Sequence, residues 1–165
     1  PLPAAHQVQV RPAGEDYLHL ALALVDELAC TRDLLAIARV DEEQRLFNSR
    51  MHSAGHLIGH FVQSLGWIPI KAHHWPGEGR VQFKPTESAQ DVDARTVEFG
   101  IEQWIAHDLP RLTSLREGAR EISFGELPAY GCGGTHVRSL KDLGTVTIAS
   151  LSQKKGTLSV HYSVD

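Results

Sequence analysis

The strongest constraint on the fold comes from residues 45–65, where apolar side chains recur at the spacing of a helix. Leu57, Phe61 and Leu65 follow one another every four residues, so they share one face. Gly66 comes directly afterwards, and glycine is a common helix terminator. The pattern predicts an amphipathic helix that buries one face against the rest of the domain.

Two glycines, Gly55 and Gly59, lie inside this predicted helix and one turn apart. Each costs about 1 kcal/mol of helix stability relative to alanine. Their presence indicates that other groups pack closely against that face of the helix.

The rest of the sequence predicts a second helix and several strands. We expect the second helix to open at Ser88, with Asp91 three residues later, and to end near Leu109. Strands are predicted at residues 67–72, 80–85, 122–127, 145–151 and 157–164. These elements indicate an α+β fold: an antiparallel β-sheet with two long helices packed on one face.

Composition is that of a globular protein, with 42% apolar and 22% charged residues. We assign residues 1–40 to an N-terminal extension or remnant subdomain, with a helix at 17–28 and a strand at 34–40, and residues 41–165 to the main domain. Cys30 is read as a core residue. Two cysteines cannot build a disulfide framework.

Localisation and partners follow from charge and hydropathy. No run of about 18 apolar residues occurs, so the sequence predicts no membrane span and a cytoplasmic protein. The formal net charge is −4. A nucleic acid, if bound, is therefore expected to be contacted locally rather than by a wholly basic surface.

Two pairs of side chains have the spacing of metal ligands. His52 and His56 are four apart on the predicted helix, and Cys132 and His136 are four apart on a loop. Zinc accepts such a mixed nitrogen and sulfur set. Chance placement gives about 0.6 histidine pairs at this spacing but about 0.1 Cys–His pairs, so the second pair is the more informative.

Other interpretations of these side chains stay open at this point. The two histidines could be ordinary polar-face residues, and Cys132 a small buried hydrophobe. His60 is two turns from His52, too far to share the same ion. His73 and His74 are assigned to a loop, and His107 to a helix end, where a partial positive charge is favourable.

The two pairs stand within longer motifs that resemble a known family. His52-Ser53-Ala54-Gly55-His56-Leu57, Cys132-Gly133-Gly134-Thr135-His136-Val137 and the closing segment Lys155 to Tyr162 are similar to the editing domain of alanyl-tRNA synthetase and the free-standing AlaX proteins. Threonyl-tRNA synthetase shares a related domain. The resemblance covers roughly residues 40–165.

This resemblance implies a zinc-dependent editing domain over residues 41–165 that acts in trans. Such a protein hydrolyses the ester of serine or glycine mischarged on alanine tRNA. The implied zinc ligands are His52, His56, Cys132 and His136. Zinc would either activate a water or position the substrate. Catalytic roles fall to Ser53, which would contact the amino acid or the water, and to the loop residues Gly133, Gly134 and Thr135. The backbone N–H groups of Gly133 and Gly134 are candidate oxyanion donors.

Contacts to tRNA are expected from basic residues around the site. The candidates are Arg50, Arg138, Lys154 and Lys155, with Arg80 and Lys84 as further possibilities. Each is also compatible with a solvated surface charge. Two competing functions stay open: a zinc-stabilised module that binds tRNA or a synthetase without catalysis, and a metal-dependent hydrolase of another small ester or amide.

Overall fold

A computed structural model of the chain describes residues 40–75 and 77–165. The helix predicted at 17–28, the strand predicted up to Val40 and the core position of Cys30 lie outside the described residues. The proposed division of the chain near residue 40 therefore stays a prediction. In the part of the chain that the structure describes, no helix is long and apolar enough to cross a membrane.

The described chain contains two long helices, a short 3-10 helix and seven strands. The order is α1 (Glu42–Ser64), β1 (Trp67–His73), β2 (Arg80–Pro85), α2 (Ala94–Ala106), β3 (Arg111–Arg116), β4 (Ala119–Phe124), β5 (Tyr130–Gly131), the 3-10 helix (Leu140–Leu143), β6 (Val146–Lys154) and β7 (Thr157–Val164).

Helix α1 confirms the predicted helix and begins three residues earlier than expected. The Asp41 side chain caps its start by accepting a hydrogen bond from the Gln44 N–H at 3.0 Å. Glu42 and Glu43 occupy the first turn, where negative charge stabilises the helix dipole. The helix ends before Gly66, whose φ of 86° explains the glycine.

The α+β prediction is confirmed. Strands β1, β2, β7 and β6 form an antiparallel sheet in that order. Helix α1 packs on β1, β2 and β7, while α2 packs on β6 and on α1. The predicted hairpin is confirmed as well: Lys155 and Gly156 join β6 to β7 with φ values of 50° and 74°.

A second antiparallel sheet, β3-β4-β5, was not predicted. All six residues of β3 are exposed, so the strand lacks the alternation between apolar and polar residues that would reveal it. The predicted strand at 122–127 corresponds to β4, which begins and ends three residues earlier. The loop with Cys132 and His136 begins directly after β5 of this small sheet.

The predicted start of the second helix at Ser88 was wrong. Helix α2 begins at Ala94, and Asp93 caps it through a hydrogen bond from the Thr96 N–H at 2.9 Å. Ser88 belongs instead to a turn, where its hydroxyl lies 3.1 Å from the Thr86 hydroxyl. Thr86 is itself hydrogen-bonded to the Gly66 carbonyl, which ties this segment to the end of α1.

Phe83 on β2 lies at the centre of the core, with 0% of its surface exposed, and Phe99 on α2 offers a matched exposed position at 66%. We expect Phe83→Ala to lower the free energy of unfolding by about 3–5 kcal/mol, because it removes a buried ring and leaves a cavity. Phe99→Ala should change it by less than about 0.5 kcal/mol. Urea unfolding of both variants measures the difference, and equal losses would contradict this description of the core.

Candidate metal centre

Helix α1 supplies two imidazoles from adjacent turns. The ring centroids of His52 and His56 are 5.1 Å apart, and the rings are nearly perpendicular at 82°. His56 is buried at 9% exposure, and His52 is half-buried. The four-residue spacing therefore gives a convergent pair on the inner side of the helix, as the sequence predicts.

The loop after β5 supplies the other two side chains, and arginines from the small sheet hold that loop. Arg120 on β4 donates to the carbonyl of Cys132 at 3.0 Å and also to the carbonyl of Gly134. Arg111 on β3 donates to the carbonyl of His136 at 2.9 Å. Because these carbonyls accept from fixed guanidinium groups, the loop has a defined path past helix α1.

The two pairs meet at one point. Cys132 Sγ lies 3.4 Å from Nε2 of His52 and 3.4 Å from Nε2 of His136. One ligand atom from each of these residues and from His56 lies within 4.8 Å of the others. Two ligands of one tetrahedral ion are roughly 3.5 Å apart when the metal–ligand bonds are roughly 2.0–2.3 Å. The four side chains thus fit a single metal ion.

Gly134 makes this approach possible. A Cβ built on Gly134 would overlap the imidazole of His52, whereas a Cβ on Gly133 would meet nothing within 4 Å. Neither glycine has a positive φ, so backbone conformation does not require glycine at either position. The smallest side chain is needed at Gly134 because the loop backbone passes directly against the ring of His52.

Ser53 lies beneath His136 and has no exposed surface. Its Oγ is 3.2 Å from Nδ1 of His136 and accepts a hydrogen bond from the Val137 N–H at 3.1 Å. A hydrogen bond on Nδ1 fixes the ring so that Nε2 faces Cys132. Ser53 is therefore placed to orient His136, a candidate metal ligand, while its predicted contact with an amino acid or water remains a prediction.

Burial keeps the imidazoles of the centre neutral. Burial is the main cause that lowers the pKa of His56 to about 2 and the pKa of His136 to about 3. Neighbouring imidazoles make smaller contributions in the same direction, and for His136 so do Arg120 and Arg111. The pKa of His52 is also lowered, mainly by burial, against a hydrogen bond to the Thr135 backbone. Neutral imidazole is the form that binds metals, so the site is ready to accept a cation at neutral pH.

His74 contributes to the site although the sequence placed it in an ordinary loop. Its ring stacks on His52 with centroids 4.6 Å apart, and its Nδ1 lies 2.7 Å from the Tyr162 hydroxyl. That hydroxyl donates to the carbonyl of Met51 at 2.9 Å. A Cβ on Gly55 would overlap the His74 ring, so Gly55 was the signal that could have located it.

Gly59, the second helical glycine, faces an aromatic pair. Tyr130 stacks on His60 with ring centroids 4.2 Å apart, and its hydroxyl lies 3.5 Å from the position of a Cβ on Gly59. His60 is buried, and its Nε2 has no hydrogen-bond partner among the described residues. The close packing predicted from the two glycines is therefore confirmed at Gly55, whereas a Cβ on Gly59 would make only ordinary van der Waals contact with Tyr130.

The predicted tRNA contacts are distributed over different parts of the domain. Arg50 donates to the carbonyls of Asp142 at 2.7 Å and Asp165 at 3.2 Å, so it ties α1 to the C-terminal region. Lys154 and Lys155 are exposed at the hairpin turn, roughly 20 Å along the strands from the metal centre. Arg138 is exposed beside the loop that carries Cys132 and His136.

Comparison with known proteins points to one group of enzymes. Alanine–tRNA ligase of Parafrankia sp. (strain EAN1pec) is 27% identical over 164 residues, which cover 86% of this chain and 18% of that protein. Alanine–tRNA ligase of Frankia alni is 31% identical over 166 residues, covering 86% of this chain and 18% of that protein. That of Nocardioides sp. (strain ATCC BAA-499 / JS614) is 29% identical over 153 residues, which cover 79% of this chain and 17% of that protein.

The chain thus spans about 18% of the length of these curated relatives. No protein-family model matches it. The similarity confirms the resemblance to alanyl-tRNA synthetase that the two motifs indicate, and it is consistent with an AlaX-like editing domain.

The two neighbouring glycines allow a matched test of the metal centre. We expect Gly134→Ala to weaken metal binding by about tenfold to a hundredfold, because the added methyl group displaces His52. Gly133→Ala should bind as the unchanged protein does. Competition with a chromophoric chelator measures both affinities, and equal binding by the two variants would show that the loop does not approach His52 in this way.

The lowered pKa values also predict how the metal-free protein responds to acid. Folded pKa values of about 4 for His60 and His74, and lower ones for His56 and His136, lie below the unfolded value of 6.5. Stability is therefore full above about pH 6.5 and is lost as the pH falls towards 4, by up to about 1.4 kcal/mol per pH unit for each imidazole.

Urea unfolding of chelator-treated protein at about pH 7.5 and about pH 5.5 measures this loss. His60→Gln should make the free energy of unfolding depend less steeply on pH, by the equivalent of one bound proton, because it removes one of the buried imidazoles. A urea midpoint that is the same or higher at the lower pH would contradict the conclusion that these buried imidazoles are neutral.

Proposed function

We propose that this chain is a zinc-dependent aminoacyl-tRNA deacylase that removes mischarged serine or glycine from alanine tRNA. The observation that carries the proposal is the convergence of His52, His56, Cys132 and His136 within 4.8 Å. It gains weight from the similarity to alanine–tRNA ligases, whose name supplies the amino acid and the kind of nucleic acid.

Zinc is the ion that this donor set favours. One thiolate and three neutral imidazoles, with ligand atoms within 4.8 Å of one another, suit zinc, whereas magnesium and calcium prefer oxygen ligands. When bound, zinc would supply Lewis-acid chemistry by polarising the ester carbonyl or lowering the pKa of a water towards 7.

The chain's own residues supply positioning and hydrogen bonds. The backbone N–H groups of Gly133, Gly134 and Thr135 make no hydrogen bond to any other described residue, so they are available to stabilise a developing oxyanion. Gly133 and Thr135 are exposed, which leaves the approach to this loop open. Ser53 holds the His136 ring from the opposite, buried side.

One observation favours a second candidate function. Four protein ligands complete a tetrahedral shell, which is typical of structural zinc sites, while catalytic sites usually keep a position open. A zinc-stabilised module that binds tRNA or a synthetase is therefore the alternative. For such a module, Cys132→Ala should abolish folding, whereas the deacylase predicts a folded protein without activity.

Deacylation of charged tRNA tests the proposal directly. The zinc-loaded chain should release serine or glycine from mischarged alanine tRNA faster than it releases alanine. His52→Ala should lower the rate at least about a hundredfold, because it removes a metal ligand, whereas His107→Ala, an exposed histidine at the end of α2, should retain it. Circular dichroism checks that both variants fold. If the zinc-loaded chain leaves all these esters intact, the proposed function is wrong.

A further inference from the structure

Beside the metal centre lies a pocket of about 320 Å³ with an unusual lining. Four arginines face it: Arg45 from α1, Arg111 from β3, Arg120 from β4 and Arg138 from the segment after the metal-binding loop. His136 also lines it, so the pocket and the metal centre share one side chain. We call it the arginine pocket.

The arginine pocket has no acidic side chain in its lining. Within residues 40–75 and 77–165, none of its four guanidinium groups forms an ion pair. Glu42 and Asp142 line an adjoining groove, which Arg45 and Arg138 also line. Four like charges around one space repel one another, so the arrangement is stabilised when an anion enters.

The donors of the arginine pocket fall into a fixed and a free pair. Arg111 and Arg120 are held in place by the loop carbonyls to which they donate. Arg45 and Arg138 are exposed, and their guanidinium groups make no hydrogen bond within the described part of the chain. The fixed pair would preorganise the site, and the free pair could close on a ligand with charge-assisted hydrogen bonds.

We infer that the arginine pocket binds a backbone phosphodiester of the RNA strand whose charged 3′ end enters the metal centre. This inference rests on the proposed function. In an aminoacyl-tRNA the amino acid is esterified to the terminal ribose, and the 5′ oxygen of the same nucleoside carries a phosphodiester. The arginine pocket shares His136 with the metal centre, so the two sites adjoin, as the ester and that phosphodiester do on one nucleoside.

The inference changes which basic residues are assigned to RNA. Arg138 was already a candidate from the sequence, while Arg45, Arg111 and Arg120 were not. The four arginines span residues 45–138, and the fold brings them together around one pocket. Lys154 and Lys155 lie at the other end of the hairpin and would at most contact the body of the RNA.

Binding of uncharged RNA tests the arginine pocket separately from catalysis. The probe is a hairpin RNA with the tRNA acceptor stem and its single-stranded 3′ end, titrated over a range of salt concentrations. The full chain is compared with Arg45→Gln/Arg138→Gln, which leaves the two loop-holding arginines intact. Arg116→Gln, an exposed arginine on β3 outside the arginine pocket, is the matched control.

We expect the double variant to raise the Kd roughly tenfold and to reduce the slope of log K against log salt by about 1, with the control unchanged. Equal affinity and slope in all three proteins would overturn the inference. A second result would also overturn it: inorganic phosphate binds the arginine pocket of the full chain, but the RNA does not displace it. The ligand would then be a free anion.

The two proposals fail separately in this design. The probe carries no amino acid, so its binding does not depend on ester cleavage. An arginine-dependent Kd in a chain that cleaves no charged tRNA would support the arginine pocket and refute the deacylase. Arginine-independent binding in a chain that does cleave charged tRNA would refute only the arginine pocket.

Discussion

The contact between the glycine-rich loop and helix α1 is the constraint on which the site depends. The loop backbone at Gly134 passes so close to His52 that even a methyl group would overlap the ring. Arg120 and Arg111 set the loop's path by donating to its carbonyls, and the small sheet β3-β4-β5 places both arginines. The second sheet therefore positions two of the four candidate metal ligands.

Helix α1 meets this loop with an equally fixed face. The helix is stabilised by the N-terminal cap at Asp41 and by the burial of residues such as Leu57 and Ile58, which have no exposed surface. Its histidines are neutral because burial disfavours their charged form. A metal ion would coordinate the ring nitrogens of these buried imidazoles, which have lost contact with water. We therefore expect metal binding to raise the local stability of the site.

Features that depend on local periodicity could be predicted from the sequence. Apolar spacing gave the long helix, alternation gave the closing hairpin, and the two four-residue pairs gave the four candidate metal ligands. Strand β3 could not be found because all its residues are exposed. The predicted start of helix α2 was too early because Ser88 and Asp91 have the spacing of a helix cap. In the fold, a hydrogen bond from Thr86 to the Gly66 carbonyl holds that segment in a turn. The arginine pocket needs the fold, because it joins residues up to 93 positions apart, from Arg45 to Arg138.

The central claim is that His52, His56, Cys132 and His136 hold one zinc ion together. X-ray absorption spectroscopy at the zinc edge, on protein purified with its metal, tests it most directly. The account predicts one equivalent of zinc with one sulfur ligand at about 2.3 Å and three nitrogen ligands at about 2.0–2.1 Å. A spectrum without sulfur, or with more than one sulfur per zinc, would contradict it.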